Sequence, residues 1–376
     1  MIDKKIGILG GGQLGRMFIQ SAIDYGINVN ILDPDPNAPC RYIAENFHTG
    51  SIKDYETVIN FGKDLDIITI EIEQVNAKAL KELENQGKKV FPQPEIIELI
   101  QDKRSQKVFY QKNKIPTSDF MLVENKEDIA KNVDFFPAFN KLAKDGYDGR
   151  GVQKLVDENE LHAAFDAPGL LEKLVDVEKE ISIIVGRNEN GQTVVYPAVE
   201  LVYHEGQNLV DYLISPASIS SEIEKEAQYI ALKIIEKLEM VGILAVEMFI
   251  NKKGELLVNE VAPRPHNSGH HTIEGNFTSQ YEQHLRAIAN LPLGSPETKE
   301  KAAMVNILGE DGYTGKAKYV GFEKAAEIEG CYIHLYGKEM TKPFRKMGHI
   351  TVIGENRADL IEKIEKIKSY CKVKSE

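Results

Sequence analysis

Two apolar runs, 243–250 and 256–261, flank Asn251-Lys252-Lys253-Gly254. Both are rich in Ile, Leu, Val and Phe and short enough to be strands. A two-residue turn at Lys253-Gly254 closes them into a hairpin. In that register Glu247 lies directly opposite Glu260, on the same face. Like charges so placed destabilise a strand pair. A divalent cation between them removes the conflict, and Mg²⁺, which takes one or two carboxylates plus substrate phosphates, suits the pair. The alternative is two solvated glutamates at strand ends, since another turn length would shift the register. A stiff polar loop, Pro263-Arg264-Pro265-His266-Asn267-Ser268-Gly269-His270, follows at once. One short segment therefore joins a candidate metal site to a candidate substrate site.

A length of 376 residues suggests two or three domains with ample core. The net charge of −12 argues against nucleic acid as the main partner, though it leaves room for local basic pockets. Cys40, Cys331 and Cys371 are far apart and show neither zinc spacing nor a disulfide framework, so a reducing cytoplasm fits. Charged residues and a short strand open the chain, so no signal peptide is expected. No apolar run approaches a membrane span.

Lys5–Leu9, Asn28–Leu32 and Asp66–Ile72 read as strands, and Arg16–Tyr25 and Lys78–Gln86 as helices. This alternation implies a parallel sheet in a first domain of 1–95. Glu95–Asn113 reads as mostly helical, with Lys103, Arg104 and Lys107 on it. Pro137–Leu142, Val152–Val156 and Leu170–Val175 read as strands of a second unit, 96–175, with a glycine-rich loop at 144–151. Glu180–Val185, Thr193–Val202 and the hairpin suggest a largely antiparallel sheet in a third unit, 176–376. Ser221–Leu238 reads as an amphipathic helix started by Ser220 or Ser221 with Glu224 behind it. Phe277–Ile288 is a further helix. Strands at 302–308, 331–336 and 349–353 and a helix at 357–370 form the tail.

Gly10-x-Gly12-x-x-Gly15 lies between a strand and a helix, and Asp33 ends the next strand, which matches the dinucleotide fingerprint. Alone, it suggests an NAD-dependent oxidoreductase. The glycines require only a tight turn and a close approach to backbone, which any small polar ligand at the helix N-terminus satisfies. An oxidoreductase has no need of a carboxylate pair on a hairpin or of a second glycine loop. That loop, Lys144 to Gly151, offers backbone N–H groups suited to phosphate but lacks the Walker spacing. Lys141 on the preceding strand could reach a phosphate. Glu172, Lys173 and Val175 could present backbone groups to an adenine edge, and Glu180 could accept ribose hydroxyls. An exposed hairpin tip and a solvated Glu-Lys pair are the alternatives for each alone.

The order of these features resembles the ATP-grasp superfamily and, within it, the N5-carboxyaminoimidazole ribonucleotide synthetase family. The resemblance covers nearly the whole chain. It rests on GILGGGQLGRM at 7–17, LDPDP at 32–36, GYDGRG at 146–151, EKLV at 172–175, VNEVAPRPHNSGHHTIE at 258–274, and YGK with RKMGH at 336–349. It implies an α/β and α+β chain: an ATP-grasp fold with a Rossmann-like N-terminal domain, a small lid subdomain and a C-terminal mixed sheet. The implied reaction is ATP-dependent carboxylation of 5-aminoimidazole ribonucleotide by bicarbonate through carboxyphosphate, with ATP and Mg²⁺ required, in a cytoplasmic homodimer.

By that resemblance Arg104, Lys141, the loop residues Gly146, Tyr147, Asp148, Gly149, Arg150 and Gly151, then Glu172, Lys173, Leu174, Val175 and Glu180 are the ATP contacts. Glu247 and Glu260 are the Mg²⁺ ligands, with Asn259 beside them. Gln13, Leu14, Glu73, Asp148, Arg264, His266, Asn267, Ser268, Lys338 and Arg345 line the ribonucleotide pocket, with Lys338 and Arg345 as its phosphate clamp. Tyr147, Asp148 and Arg150 sit where bicarbonate would bind, and His266 either shuttles a proton or orients substrate. Tyr203 and His204 compete for one nucleotide contact. Four positions depart from the family's usual pattern. Val152, with Gln153 next, replaces the Gln after the lid, and Gln74 follows Glu73. Lys342-Pro343-Phe344-Arg345 stands for Arg-Pro-Gly-Arg, which loses a bidentate fork and adds bulk. Another ATP-grasp carboxylate–amine ligase, an NAD-type oxidoreductase, and a nucleotide-binding module without catalysis remain as alternatives.

Overall fold

The computed structural model describes residues 4–144, 146, 151–204 and 209–376. Ile6–Leu9 is the central strand of a five-stranded parallel sheet, paired on one side with Val29–Asp33 and on the other with Ile67–Ile70. Asn46–Thr49 and Lys89–Val90 form the edges. Fully buried four-residue runs such as IGIL and IITI are what a sheet covered on both faces requires. Helix Gln13–Asp24 buries Met17, Phe18, Ile19 and Ala22 against this sheet. The same core continues into Tyr281, Leu285 and Ile288 of helix Gln280–Ile288, which joins the parallel sheet to the rest of the molecule.

A four-stranded antiparallel sheet, in the order 120–123, 169–173, 138–142 and 152–155, forms a small second layer. The largest sheet has nine strands. Its centre is Val177–Arg187 paired with Gly242–Asn251, both antiparallel, and it runs through Val199–Tyr203, Val210–Ser215 and Ala302–Leu308 to Lys346–Ile353 and Cys331–Leu335. Strand alternation sorts its faces. Ile181, Ile183, Val185, Leu244, Val246 and Met248 bury against Ala227, Ile230, Ala231, Ile234 and Ile235 of helix Ser221–Lys237. Glu180, Ser182 and Glu247 are left on the opposite face.

Several boundaries differ from the sequence reading for identifiable reasons. The single helix expected over 95–113 is two, Pro94–Gln101 and Lys103–Lys112. Asp102 is extended between them, and its carboxylate caps the second by accepting from Arg104 and Ser105 N–H. Thr193–Val202 is two strands, 193–195 and 199–203, interrupted at Pro197. Helix 277–288 starts only at Gln280, where Ser279 caps Glu282 N–H. Ser220 caps helix 221–237 through Ile223 N–H, so Glu224 is one residue too far for a capping box. Glu224 accepts from Ala198 N–H instead, tying the helix to the sheet. Edge and connecting elements at 46–49, 55–62, 315–320, 322–326 and 372–375 carry weak apolar patterns and were not expected.

The hairpin holds the most instructive difference. Its loop has five residues, with Ile250 paired to Leu256 and Asn251 closing the turn by accepting from Lys253 and Glu255 N–H. That loop alone would move Glu247 off Glu260. A β-bulge at Asn259 restores one residue of register, so Glu247 and Glu260 are direct partners after all.

Phe344 adopts φ 61° and its side chain is 43% exposed. This is the position where the resemblance leads one to expect Gly, and an aromatic residue in the left-handed region carries strain. Phe344→Gly is expected to raise stability by about 0.5–1 kcal/mol, the relieved strain outweighing the added chain entropy. A urea midpoint unchanged or lower than wild type would refute it.

Candidate active site

A cleft of about 1330 Å³ opens between the parallel sheet, the small antiparallel sheet and the nine-stranded sheet. Its walls include Glu73 from the parallel sheet's end, Lys141, Gly146 and the 172–175 segment from the small sheet, and Glu180, Tyr203, Glu247, Asn259 and Glu260 from the large one. Arg264, His266, Asn267 and Ser268 line it from the loop after the hairpin. The structure thus brings together most residues singled out in the sequence. Tyr147, Asp148, Gly149 and Arg150 lie outside the described residues. Gly151 has φ 73°, and an added Cβ would crowd Gly146 at 3.2 Å, which accounts for glycine at the loop's end.

Glu247 and Glu260 share the cleft face. Burial first, then the charges of Glu260 and Glu180, push the Glu247 carboxyl above the ordinary carboxylate range. Burial also works against charge on Glu260, but Lys103 and Lys141 outweigh it and hold that carboxyl down. Half of the Glu260 side chain remains open to solvent, and Lys103 Nζ is 3.3 Å from its Oε2. Among the described residues no cluster of three or more His, Cys, Asp or Glu forms a complete metal cage. Two hard oxygen donors on an open wall fit Mg²⁺ that takes its remaining ligands from phosphates and water, and do not fit a closed structural zinc site.

Glu172 is buried between two lysines, with Lys107 Nζ at 2.8 Å and Lys141 Nζ at 2.7 Å. Desolvation opposes its charge, yet Lys141 and Lys107 hold the carboxyl at about 2. Lys173, Leu174 and Val175 continue along the cleft wall. Glu180 is hydrogen-bonded to Tyr203, which faces the cleft, whereas His204 turns to Asp211 at 3.5 Å. Arg104 does not reach the cleft wall: its guanidinium pairs with Glu124 at 3.1 Å. Lys103, one residue earlier, lines the cleft instead. The helix restart at Asp102 sets this phase, and the sequence reading, which ran one helix through, missed it.

Arg264 clasps Glu73 with Nε and Nη2 at 2.9 and 3.0 Å from the two carboxylate oxygens, linking hairpin loop to parallel sheet. Burial, then Arg264 and Lys346, keep His266 neutral. Its Nδ1 accepts from Ser268 N–H, which leaves the ring proton on Nε2, 3.7 Å from Glu247. Asn267 is 9% exposed, and both polar atoms of its amide lack a partner among the described residues. Such atoms carry a desolvation penalty unless a ligand or water meets them. Behind the loop, the rings of His270, His349 and His334 stack at 4.7 and 4.4 Å, with Tyr281 and Tyr336 hydroxyls on His270 and His349.

Lys338 donates to Gln13 Oε1 at 3.0 Å and to the Lys346 carbonyl at 2.7 Å. Burial, then Arg345, lower its ammonium to about 8. Arg345 donates to the Met340 carbonyl at 2.6 Å. The glycine turn beside Gln13 is not an open anion site. Glu71 accepts from Gly12 N–H and, at 3.0 Å, from Leu14 N–H, while Asp33 accepts from Gly11 N–H at 2.6 Å. A Cβ on Gly12 would lie 2.4 Å from Glu71. The helix N-terminus is thus already met by the protein's own carboxylates, which removes the place an NAD pyrophosphate would take. Glu71 carries this role and was not singled out in the sequence.

A nucleotide-sized cleft floored by an antiparallel sheet, beside a small sheet and a parallel N-terminal sheet, defines an ATP-grasp protein. Residues 108–281 match the ATP-grasp domain, 3–101 the ribonucleotide synthetase preATP-grasp domain, and 302–363 the phosphoribosylaminoimidazole carboxylase C-terminal domain. The crystal structure of N5-carboxyaminoimidazole ribonucleotide synthetase from Thermotoga maritima is 44% identical, with TM-score 0.92, over 99% of this chain and 100% of that one. The Aspergillus clavatus N5-carboxyaminoimidazole synthase in complex with ADP and 5-aminoimidazole ribonucleotide is 33% identical, with TM-score 0.87, over 98% and 97%. The chloroplastic phosphoribosylaminoimidazole carboxylase of Vigna aconitifolia is 39% identical over 94% of this chain, which spans 65% of that protein's length. The chain belongs to the N5-carboxyaminoimidazole ribonucleotide synthetase family.

Glu247→Gln replaces a carboxyl that burial, Glu260 and Glu180 push to about 8, and that must take up a proton on folding at pH 7, with an amide that is neutral in both states. The ligand-free protein is expected to gain about 1 kcal/mol in urea unfolding at pH 7. A lower midpoint than wild type would show that the pair is not in conflict.

Proposed function

We propose that this chain catalyses the ATP-dependent carboxylation of 5-aminoimidazole ribonucleotide with bicarbonate, giving N5-carboxyaminoimidazole ribonucleotide, ADP and phosphate, a step of purine biosynthesis. The observation that carries this reading is the continuity of one cleft wall. It runs from the Glu247–Glu260 pair through Arg264 and Asn267 to Glu73, so a triphosphate and a second substrate can meet there. The Aspergillus relative, whose complex holds ADP and 5-aminoimidazole ribonucleotide, supports the assignment of both ligands.

In this reading Lys141 and Lys103 meet ATP phosphates, and backbone groups of Glu172 to Val175, with the Glu180 and Tyr203 side chains, hold the base and ribose. Glu247 and Glu260, with Asn259 in the bulge between strands, would hold Mg²⁺, whose charge offsets that of the phosphates. A bicarbonate oxygen attacks the γ-phosphorus, the bond to the β-phosphate oxygen breaks, and ADP leaves. The exocyclic amine then forms a bond to the carboxyl carbon, phosphate leaves, and the amine gives up a proton. Fixed cations around the phosphates favour charge migration without solvent reorganisation. Tyr147, Asp148, Gly149 and Arg150 are the proposed lid and bicarbonate contacts, excluding water from the labile acyl phosphate. Arg264, Asn267, Ser268 and Glu73 position the ribonucleotide beside Gln13 and Leu14. The Nδ1 lone pair of His266 is engaged by Ser268, which favours an orienting role over a proton shuttle. Lys338 and Arg345 would clamp the 5′-phosphate. A cytoplasmic homodimer is the assembly the reading implies; no helix among the described residues is long and apolar enough to cross a membrane.

Phosphate release is expected only when ATP, Mg²⁺, bicarbonate and aminoimidazole ribonucleotide are all present, and Glu260→Gln is expected to abolish it in a folded protein. No release by folded wild type with all four would sink the reading, and wild-type rates in the variant would remove Glu260 from it. The lowered Lys338 sets a pH dependence: the ammonium is charged below about 8 and neutral above. Wild-type kcat/KM for the ribonucleotide, which reports the free enzyme, should therefore fall by roughly tenfold per unit well above that pH. Lys338→Arg should flatten the fall. A wild-type profile level to pH 9.5 would separate Lys338 from the phosphate.

A further inference from the structure

Lys103, Lys107 and Tyr110 recur at i, i+4 and i+7 on helix Lys103–Lys112, and of the three Lys103 lines the cleft. Lys103 meets Glu260. Lys107 is different: it is 3% exposed and does not line the cleft. Its ammonium donates to Thr117 Oγ1 at 2.5 Å and to Glu172 Oε1 at 2.8 Å, and Ser118 hydroxyl bonds the same carboxylate oxygen. The other oxygen of Glu172 lies 2.7 Å from Lys141. Beneath them the Tyr110 ring is 5.9 Å from Lys107 Nζ, and its buried hydroxyl has no partner among the described residues.

A buried lysine is expensive to keep, and a hydrophobic helix face would have served packing better. Burial pulls the Lys107 ammonium below the ordinary lysine range even with Glu172 beside it. What this lysine changes is the charge left on its neighbour. Two ammonium groups share one carboxylate, so the trio keeps one net positive charge, and of the two lysines only Lys141 faces the cleft. We propose that Lys107 is a positioning residue for nucleotide binding: it takes up half of Glu172, so that Glu172 fixes Lys141 in place without cancelling the charge Lys141 offers to a phosphate. Without Lys107, Glu172 closes on Lys141 as a one-to-one pair, and an incoming phosphate must compete with a carboxylate.

The inference rests on the nucleotide reading of the cleft, and titration calorimetry with a non-hydrolysable ATP analogue and Mg²⁺ separates the two. Lys107→Met is expected to weaken analogue binding tenfold or more, and adding Glu172→Gln to it should recover at least threefold by releasing Lys141. A merely structural Lys107 predicts the reverse, with the double variant binding as weakly as the single or worse. Failure of wild type to bind the analogue would sink the nucleotide reading itself. Wild-type affinity in folded Lys107→Met, or no recovery in the double variant, would overturn the role of Lys107. Should Lys107→Met not fold by circular dichroism, the charge-balanced double variant decides: affinity within about threefold of wild type supports the role, and loss of binding overturns it.

Discussion

Two carboxylates held face to face are the constraint around which the rest of this molecule is arranged. Nothing in the hairpin's own chemistry favours Glu247 opposite Glu260. The geometry is imposed by the alternation of the large sheet, whose other face is buried in the core with helix 221–237, and by the Asn259 bulge that corrects the register. The conflict is tolerated in the ligand-free protein because Glu247 is held above the usual carboxylate range and Lys103 and Lys141 compensate Glu260. Stability is given up at a site where a cation and phosphates would recover it, as at other pre-organised sites.

Charge around the cleft is layered. The chain is acidic overall, yet lysines 103, 107 and 141 gather at one end and Lys338, Lys342, Arg345 and Lys346 at the other. Acids are set among these cations. Glu172 orders two lysines of the first cluster, and Glu73 orders Arg264 on the wall between the clusters. A cation bound to a fixed carboxylate keeps its direction, which matters more for orienting a phosphate than an extra unpaired charge would.

The parallel sheet contributes by closing off a function as well as by binding. Its glycine turn has the spacing of a dinucleotide site, but Glu71 and Asp33 occupy the amide groups that a pyrophosphate would need. The glycines are there because Glu71 approaches so closely that a side chain on Gly12 would collide with it. The turn therefore becomes a rigid shelf for Gln13, which receives Lys338 from the far end of the chain.

The sequence by itself determined the parallel first sheet, the strands carrying Glu172, Glu247 and Glu260, the polar loop after the hairpin and the family. Short-range signals carry all of these: apolar periodicity, turn residues and ordered motifs. Tertiary structure alone decided which neighbour faces the cleft. Lys103 rather than Arg104, and Tyr203 rather than His204, follow from a helix restart at Asp102 and from strand phase, where one residue reverses or rotates the face. The turn length read from Lys253-Gly254 was wrong while the Glu247–Glu260 pairing was right, because a bulge three residues past the paired strand's start cannot be seen in local composition. The roles of Glu71 and Lys107 were illegible for the same reason. Their partners lie 59 and 65 residues away, and only packing of separate elements brings a lone carboxylate or lysine to the group that gives it meaning.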